Sequence, residues 1–224
     1  MIEARDITKR YGEFLAVDGV SFTAEAGDVV GFLGPNGAGK TTTMRTIMGL
    51  TTLSAGSIAF QGEDVGGLPA HKRTHLGLGY MPEDRRLVPA LTVEENMRLP
   101  GWVNASLDQP AGLTFVYDLM PELAAMKERK ALLLSGGQQK MVALGRALMA
   151  GSKLLLLDEP FEGVAPALAQ RLAEVIGALR EEKRSVLIAQ SELTHSTALL
   201  DRQYVIERGA IVEDETAPCA AKAG

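Results

Sequence analysis

Hydrophobic and polar positions alternate along Ile2 to Ile7 and again along Phe14 to Phe22, the period-two pattern of half-buried strands, and "TKRYGE" joins the two into an opening antiparallel pair. The pattern then changes. "DVVGFLG" (Asp28 to Gly34) is a continuous apolar run ending in glycine, "KTTTMRTIMGL" has helical character, and alternation returns in "AGSIAFQG". This order of strand, loop, helix and strand predicts parallel α/β architecture.

From about Asp84 to Ala150 the strand signals fade. Helical segments replace them, in "LTVEENMRL", "GLTFVYDLM", "PELAAMKER" and "GGQQKMVALGRALMA". Strand runs resume in "KLLLLDE", "SVLIAQ" and "QYVIERGAIVED", the last turning at Arg208-Gly209 like a hairpin, with the amphipathic stretch Ala165 to Lys183 among them. The expected organisation is one α/β domain over residues 1–214. Its mostly parallel core, with an N-terminal antiparallel β subdomain, is built from 1–83 and 151–214, a helical lobe of about 84–150 is inserted, and 215–224 is small and polar enough to be disordered.

At 224 residues the chain is long enough to bury a sizeable core without staples. Its single cysteine, Cys219, lies in the Ala-rich tail and excludes a disulfide framework or cysteine-based metal site, which fits a reducing compartment. A formal net charge of −5 offers no polybasic footprint for nucleic acid. The charged start "MIEARDITKR" and the lack of an apolar run near ~18 residues predict neither a secretory signal nor a membrane span.

"GPNGAGKTT" fits the phosphate-binding pattern G-x-x-x-x-G-K-[ST], directly after an apolar strand and before a helix. In such a loop the backbone N–H groups of Gly34, Asn36, Gly37, Ala38, Gly39 and Thr42 can wrap phosphates. Lys40 reaches the terminal phosphates and Thr41 can ligate Mg²⁺. "KLLLLDEP" delivers Asp158 and Glu159 at the C-terminal end of a buried strand, where α/β sheets place ligands. The pair can divide two tasks: Asp158 holds Mg²⁺ through water, and Glu159 polarises the water that attacks the γ-phosphoryl group. A third element, "LLLSGGQQKM", sets Ser-Gly-Gly at a helix start. It reads either as a second anion nest or as an ordinary helix with Ser135 as its cap.

Taken in order, "GPNGAGKTT", "LSGGQ" and "LLLLDEP" resemble the nucleotide-binding subunits of ATP-binding-cassette (ABC) transporters, over about Ile2 to Glu213. The resemblance implies that Ser135, Gly136, Gly137 and Gln138 of one subunit close over ATP held by another, so that active sites form only in a homo- or heterodimer. It further implies that Tyr11 stacks on adenine with Val17 beside it. Glu83 stands where most relatives carry a glutamine that touches Mg²⁺ and senses the membrane partner. "LTVEENMRL" after "PEDRRLVPA" looks most like the smaller ATPase of branched-chain amino-acid importers, whose relatives also handle urea and amides. Transmembrane permease subunits, a substrate-binding protein acting through them, and a cytoplasmic, membrane-peripheral location are implied in the same way.

Several positions depart from the family pattern. Ala165 replaces an Asp that contacts the opposite subunit in many relatives, and the Arg often found after Gln138 is missing; the branched-chain group tends to share both features. Counting back from Asp201-Arg202 puts Ser191 where relatives carry a switch histidine, with His195 four residues later, one helical turn on if a helix follows. A serine can hydrogen-bond a phosphate oxygen but carries no imidazolium charge, so weaker positioning of the attacking water is expected. Three alternatives stay open: a nucleotide-gated subunit with little hydrolysis of its own, a urea or amide importer, and a lipid exporter.

Overall fold

The computed structural model describes residues 2–191 and 199–216. The opening hairpin is longer than the alternation predicts. Strand β1 (Ile2–Tyr11) pairs antiparallel with β2 (Phe14–Ala24), and the six-residue connection shrinks to Gly12-Glu13, with Gly12 at a φ of 57° that suits glycine.

Strand β3 (Val29–Leu33) leads through the phosphate loop into α1 (Lys40–Met48). The next strand, β4 (Ala55–Phe60), corrects the sequence reading. It does not return to the parallel sheet but pairs antiparallel with β1 and with the short β5 (Glu63–Asp64), giving a four-stranded sheet of order β2-β1-β4-β5. Local pattern cannot report such a choice, because a strand's partners are set by tertiary packing.

After α2 (Ala70–His75), strand β6 (Leu78–Met81) enters the other sheet; its four residues in "LGLGYM" are too short and Gly-rich to announce a strand. Helices α3 (Val93–Val103), α4 (Gln109–Leu119), α5 (Pro121–Ala125) and α6 (Gly136–Ala150) follow, then β7 (Leu154–Asp158), α7 (Pro166–Glu181) and β8 (Ser185–Gln190). Strands β9 (Arg202–Glu207) and β10 (Ala210–Thr216) form the hairpin expected at Arg208-Gly209. Strand β10 continues two residues into the segment predicted to be disordered; 217–224, like His195, lie outside the described residues.

The six-stranded sheet has the order β10-β9-β3-β8-β7-β6 and is parallel except for its terminal hairpin. Alternation along its central strands divides the interior into two cores. Leu154 and Leu156 face the antiparallel sheet and α1, together with Phe32 and Leu187. Leu155 and Leu157 face the opposite core, with Val186, Ile188 and the buried sides of α3 to α7. With both faces covered, β3, β7 and β8 are continuous apolar runs, and polar residues can appear only where they stop. They stop together: Leu33 pairs with Gln190 and Asp158 with Ala189, so the C-terminal ends of three adjacent strands deliver Gly34, Asp158-Glu159 and Ser191 to one edge.

Candidate nucleotide site

The loop after β3 owes its shape to close backbone approach. Gly39 caps α1 at a φ of 109° without a side-chain hydrogen bond, and a Cβ there would sit 2.7 Å from the Ala16 carbonyl oxygen. A Cβ on Gly34 would lie 2.1 Å from the Ile206 carbonyl oxygen. Any side chain at either position would push the loop off its supports. Asn36, Gly37, Ala38, Gly39, Lys40, Thr41 and Thr42 line a cleft of about 410 Å³, and Glu83 and Glu159 line it as well.

Lys40 is buried, and its ammonium donates to the carbonyls of Gly34 (2.6 Å) and Pro35 (3.1 Å) and to Ser191 Oγ (3.1 Å). The Glu159 carboxylate lies 3.4 Å from the same ammonium. The Ser191 N–H donates to Glu159 Oε2 at 3.0 Å. The Ser191 hydroxyl lies within reach of both Asn36 Oδ1 (2.8 Å) and Glu159 Oε1, and its one proton can serve one of them. Ser191 thus contacts both the phosphate-loop lysine and the acid.

Asp158 is fully buried, and each of its oxygens accepts a hydroxyl hydrogen bond: Thr41 Oγ1 on Oδ1 and Tyr80 OH on Oδ2, both at 3.0 Å. Burial raises its pKa above the ordinary carboxylate range; the two hydroxyls oppose that rise, and nearby Glu83 and Glu159 add to it. Among the described residues no three His, Cys, Asp or Glu side chains gather to hold a metal by themselves. The donors at Asp158 are instead a hard carboxylate and a hydroxyl beside a phosphate loop. That set fits Mg²⁺, which takes one or two carboxylates and fills its remaining positions with phosphate and water.

Glu159 leaves the strand abruptly. Its φ is 49°, in the left-handed region that costs a non-glycine residue about 1–2 kcal/mol. A residue held there marks a place where the surroundings fix the chain against its own preference.

Of the adenine-side expectations, the one for Val17 needs revision. Val17 is 1% exposed and packs into the core between the two sheets, so it cannot lie against a ligand in the cleft. Adjacent strand residues point to opposite faces, and here Ala16 and Phe14 line the cleft, with Phe14 66% exposed. Tyr11 is half exposed at the strand end. It hydrogen-bonds Thr51 Oγ1 at 3.4 Å, and the Lys9 ammonium lies over its ring at 4.8 Å. Phe14 was legible only as a strand residue; its exposure was the missing signal.

Ser135 to Gln138 do not line this cleft. Ser135 caps α6 in a capping box, its Oγ accepting from Gln138 N–H at 3.2 Å while Gln138 Oε1 accepts from Ser135 N–H at 3.1 Å. Arg85 donates to the Gly136 carbonyl at 3.2 Å, tying the segment after Glu83 to this turn. Ala165 precedes α7 and provides no side-chain cap.

A phosphate loop at the end of a central parallel strand, an acid pair on its neighbour, a helical lobe and an antiparallel side sheet together define a nucleotide-binding cassette. The model of the ABC transporter family matches residues 17–162, and the chain belongs to that family as an ATP-binding, ATP-hydrolysing transporter subunit. It is 38% identical to the high-affinity branched-chain amino acid transport ATP-binding protein BraG of Pseudomonas aeruginosa, across 96% of this chain and 93% of that one. It is 33% identical to the lipopolysaccharide export system ATP-binding protein LptB of Escherichia coli K12, across 96% and 90%. An ATP-binding cassette of an ABC transporter solved in its ADP conformation superposes with a TM-score of 0.84 at 29% identity, covering 96% of this chain and 91% of that chain.

Proposed function

We propose that the chain is an ATPase of an ABC importer for branched-chain or related amino acids, working as one half of a homo- or heterodimer on the cytoplasmic face of the membrane. The similarity to BraG over nearly the whole of both chains carries the substrate class. The similarity to LptB favours a second reading, a lipid exporter with the same motor.

In the proposed reaction Lys40 and the loop N–H groups bind the phosphates, with Tyr11 or Phe14 as an aromatic platform for adenine. Glu159 accepts a proton from the attacking water as its oxygen bonds to the γ-phosphorus and the bond to the ADP oxygen breaks. Thr41 and Asp158, with Glu83 beside them, would hold Mg²⁺, which when bound neutralises charge on the phosphates. Ser191 takes the switch position, where its hydroxyl can donate to a phosphate oxygen. Ser135, Gly136, Gly137 and Gln138 close over the partner's ATP.

Among the described residues no helix is long and apolar enough to cross a membrane. Contact with the permease is assigned to an apolar groove of about 430 Å³ lined by Leu50, Tyr80, Leu99, Pro100, Val103 and Arg146. Leu50 and Val103 are 54% and 77% exposed there, a large apolar surface for a chain without a partner. A substrate-binding protein acts only through that permease.

Turnover in the assembled transporter tests the reading. Glu159→Gln should lower kcat by about 10²–10⁴-fold and retain ATP binding, the range for losing a general base. ATP binding without turnover in the wild-type assembly would instead identify a nucleotide-gated subunit. Stimulation by a lipid substrate, with none by amino acids, would favour the exporter.

A further inference from the structure

Lys140 is the fifth residue of α6, and its side chain is buried, a rare situation for lysine unless its charge is satisfied. Its ammonium donates to the carbonyl oxygen of Glu159 at 2.8 Å and to that of Glu162. Both acceptors are main-chain atoms of the turn that follows β7, so the lysine grips the backbone there. Burial lowers its pKa, and the nearby Glu162, Glu159 and Glu83 oppose that shift.

The grip falls on a strained residue. Glu159 is the acid whose φ of 49° must be fixed by its surroundings. Its own N–H donates to the Ala189 carbonyl of β8 at 2.9 Å, which orients the peptide plane before its Cα. Lys140 makes the shorter of two hydrogen bonds to its carbonyl, which also accepts from the Glu162 N–H of the same turn at 3.3 Å, and together they hold the plane after it. Those two planes set φ and ψ of Glu159, and from there the carboxylate reaches Ser191 and Lys40.

We infer that Lys140 is a positioning residue for ATP hydrolysis: from the helix that begins at Ser135 it holds the Glu159 main chain in the conformation that aims the carboxylate into the phosphate cleft. The inference rests on Glu159 being the base. It has a mechanical consequence, because Lys140 and Ser135 ride on one helix. Any displacement of α6 relative to β7 moves the Glu159 carbonyl, so the turn assigned to the partner's ATP and the acid assigned to the chain's own ATP are joined by one side chain.

The test compares wild type, Lys140→Met and Lys140→Gln. Methionine keeps most of the volume and no donor; glutamine keeps two N–H donors on a shorter stem. In the assembled transporter Lys140→Met should lower kcat at least tenfold with KM for ATP unchanged within about twofold, and Lys140→Gln should recover part of the loss. On the isolated chain, affinity for a fluorescent ADP should be retained within about twofold. A crystal structure of Lys140→Met should show Glu159 out of the positive-φ region.

A kcat within twofold of wild type, or Glu159 still near its original φ, overturns the inference. So does a parallel fall of kcat and ADP affinity, which would mean general loss of packing. Where Lys140→Met fails to fold, Lys140→Gln decides, by a kcat loss with ADP affinity kept or by its absence. Turnover persisting in Glu159→Gln would remove the base assignment and this inference with it; turnover persisting only in Lys140→Met removes the inference alone.

Discussion

Two helices in this chain begin at glycine-rich turns, and the two beginnings differ. Helix α1 starts at Gly39 with no side-chain cap, and the loop before it is held by close approach to Ala16, Ile206 and Gly209. The first N–H groups of a helix have no partner inside it, so this end is built for an anion. Helix α6 starts at Ser135 with both halves of a capping box closed, which engages the Ser135 hydroxyl and the N–H groups of Ser135 and Gln138. The first turn carries no side-chain cap, whereas at the second the Ser135 hydroxyl is already engaged inside the chain. That difference suits the proposal in which the phosphate loop binds nucleotide alone and the Ser135–Gln138 turn engages it only when a second subunit presents it.

The largest effect that could break this comparison comes from truncating one anchor in each nest. Lys40→Ala removes charge-assisted hydrogen bonds worth about 1.5–3 kcal/mol each, so ATP affinity of the isolated chain should fall on the order of a hundredfold by fluorescence titration. Ser135→Ala should leave that affinity within about twofold. It should lose about 1 kcal/mol of helix capping, lower Tm by about 2–4 °C, and reduce turnover only in the assembled dimer. Equal losses of monomer affinity in both variants would show that the second nest serves the chain's own nucleotide, and the contrast would collapse.

A smaller, opposite effect is expected at Ser191. The serine contacts Lys40, Asn36 and Glu159 but has a single proton to share between two acceptors. Ser191→His supplies a ring with a donor and an acceptor, or two donors when charged, and should raise kcat of the assembled transporter several-fold. Unchanged turnover combined with a large loss in His195→Ala would show that the switch residue is the histidine.

How much of this was legible in the sequence depended on how local the chemistry is. The phosphate loop and the acid pair were readable because each is a contiguous run whose flanking apolar strand fixes its place. Ser191 was singled out by counting back from Asp201-Arg202, and it lies one residue past the end of β8, beside Glu159 and Lys40. Strand β4 was misassigned because its pattern is the same in either sheet and only packing against β1 decides between them. Val17 failed on parity: one residue of register along β2 exchanges a core position for a cleft position, and bulges in the β1–β2 pairing shift that register. The left-handed backbone of Glu159 and the reach of Lys140 to it across 19 residues are tertiary facts with no local signature.

The smallest effect sharpens the phosphate side of the comparison. Asp158 is fixed at both oxygens, and only one of its partners, Thr41, belongs to the loop. Tyr80 holds the other, and the same residue helps line the apolar groove assigned to the permease. Tyr80→Phe removes the hydroxyl and keeps the ring, so packing in the groove should survive. One oxygen of a buried carboxylate then loses its donor, and the side chain is oriented less firmly toward the Mg²⁺ position. Because Lys40 and the loop N–H groups are untouched, ADP affinity without Mg²⁺ should not change, while the Mg²⁺ concentration needed for half-maximal strengthening of ADP binding should rise about two- to fivefold, within the worth of one hydrogen bond to a charged group. A matching loss of Mg²⁺-free ADP affinity would mean that Tyr80 supports the loop itself. No change in either would mean that Thr41 alone orients the carboxylate, and that the groove communicates with the phosphates by another path, of which the Arg146 hydrogen bonds to the Arg85 and Arg86 carbonyls are the nearest candidate.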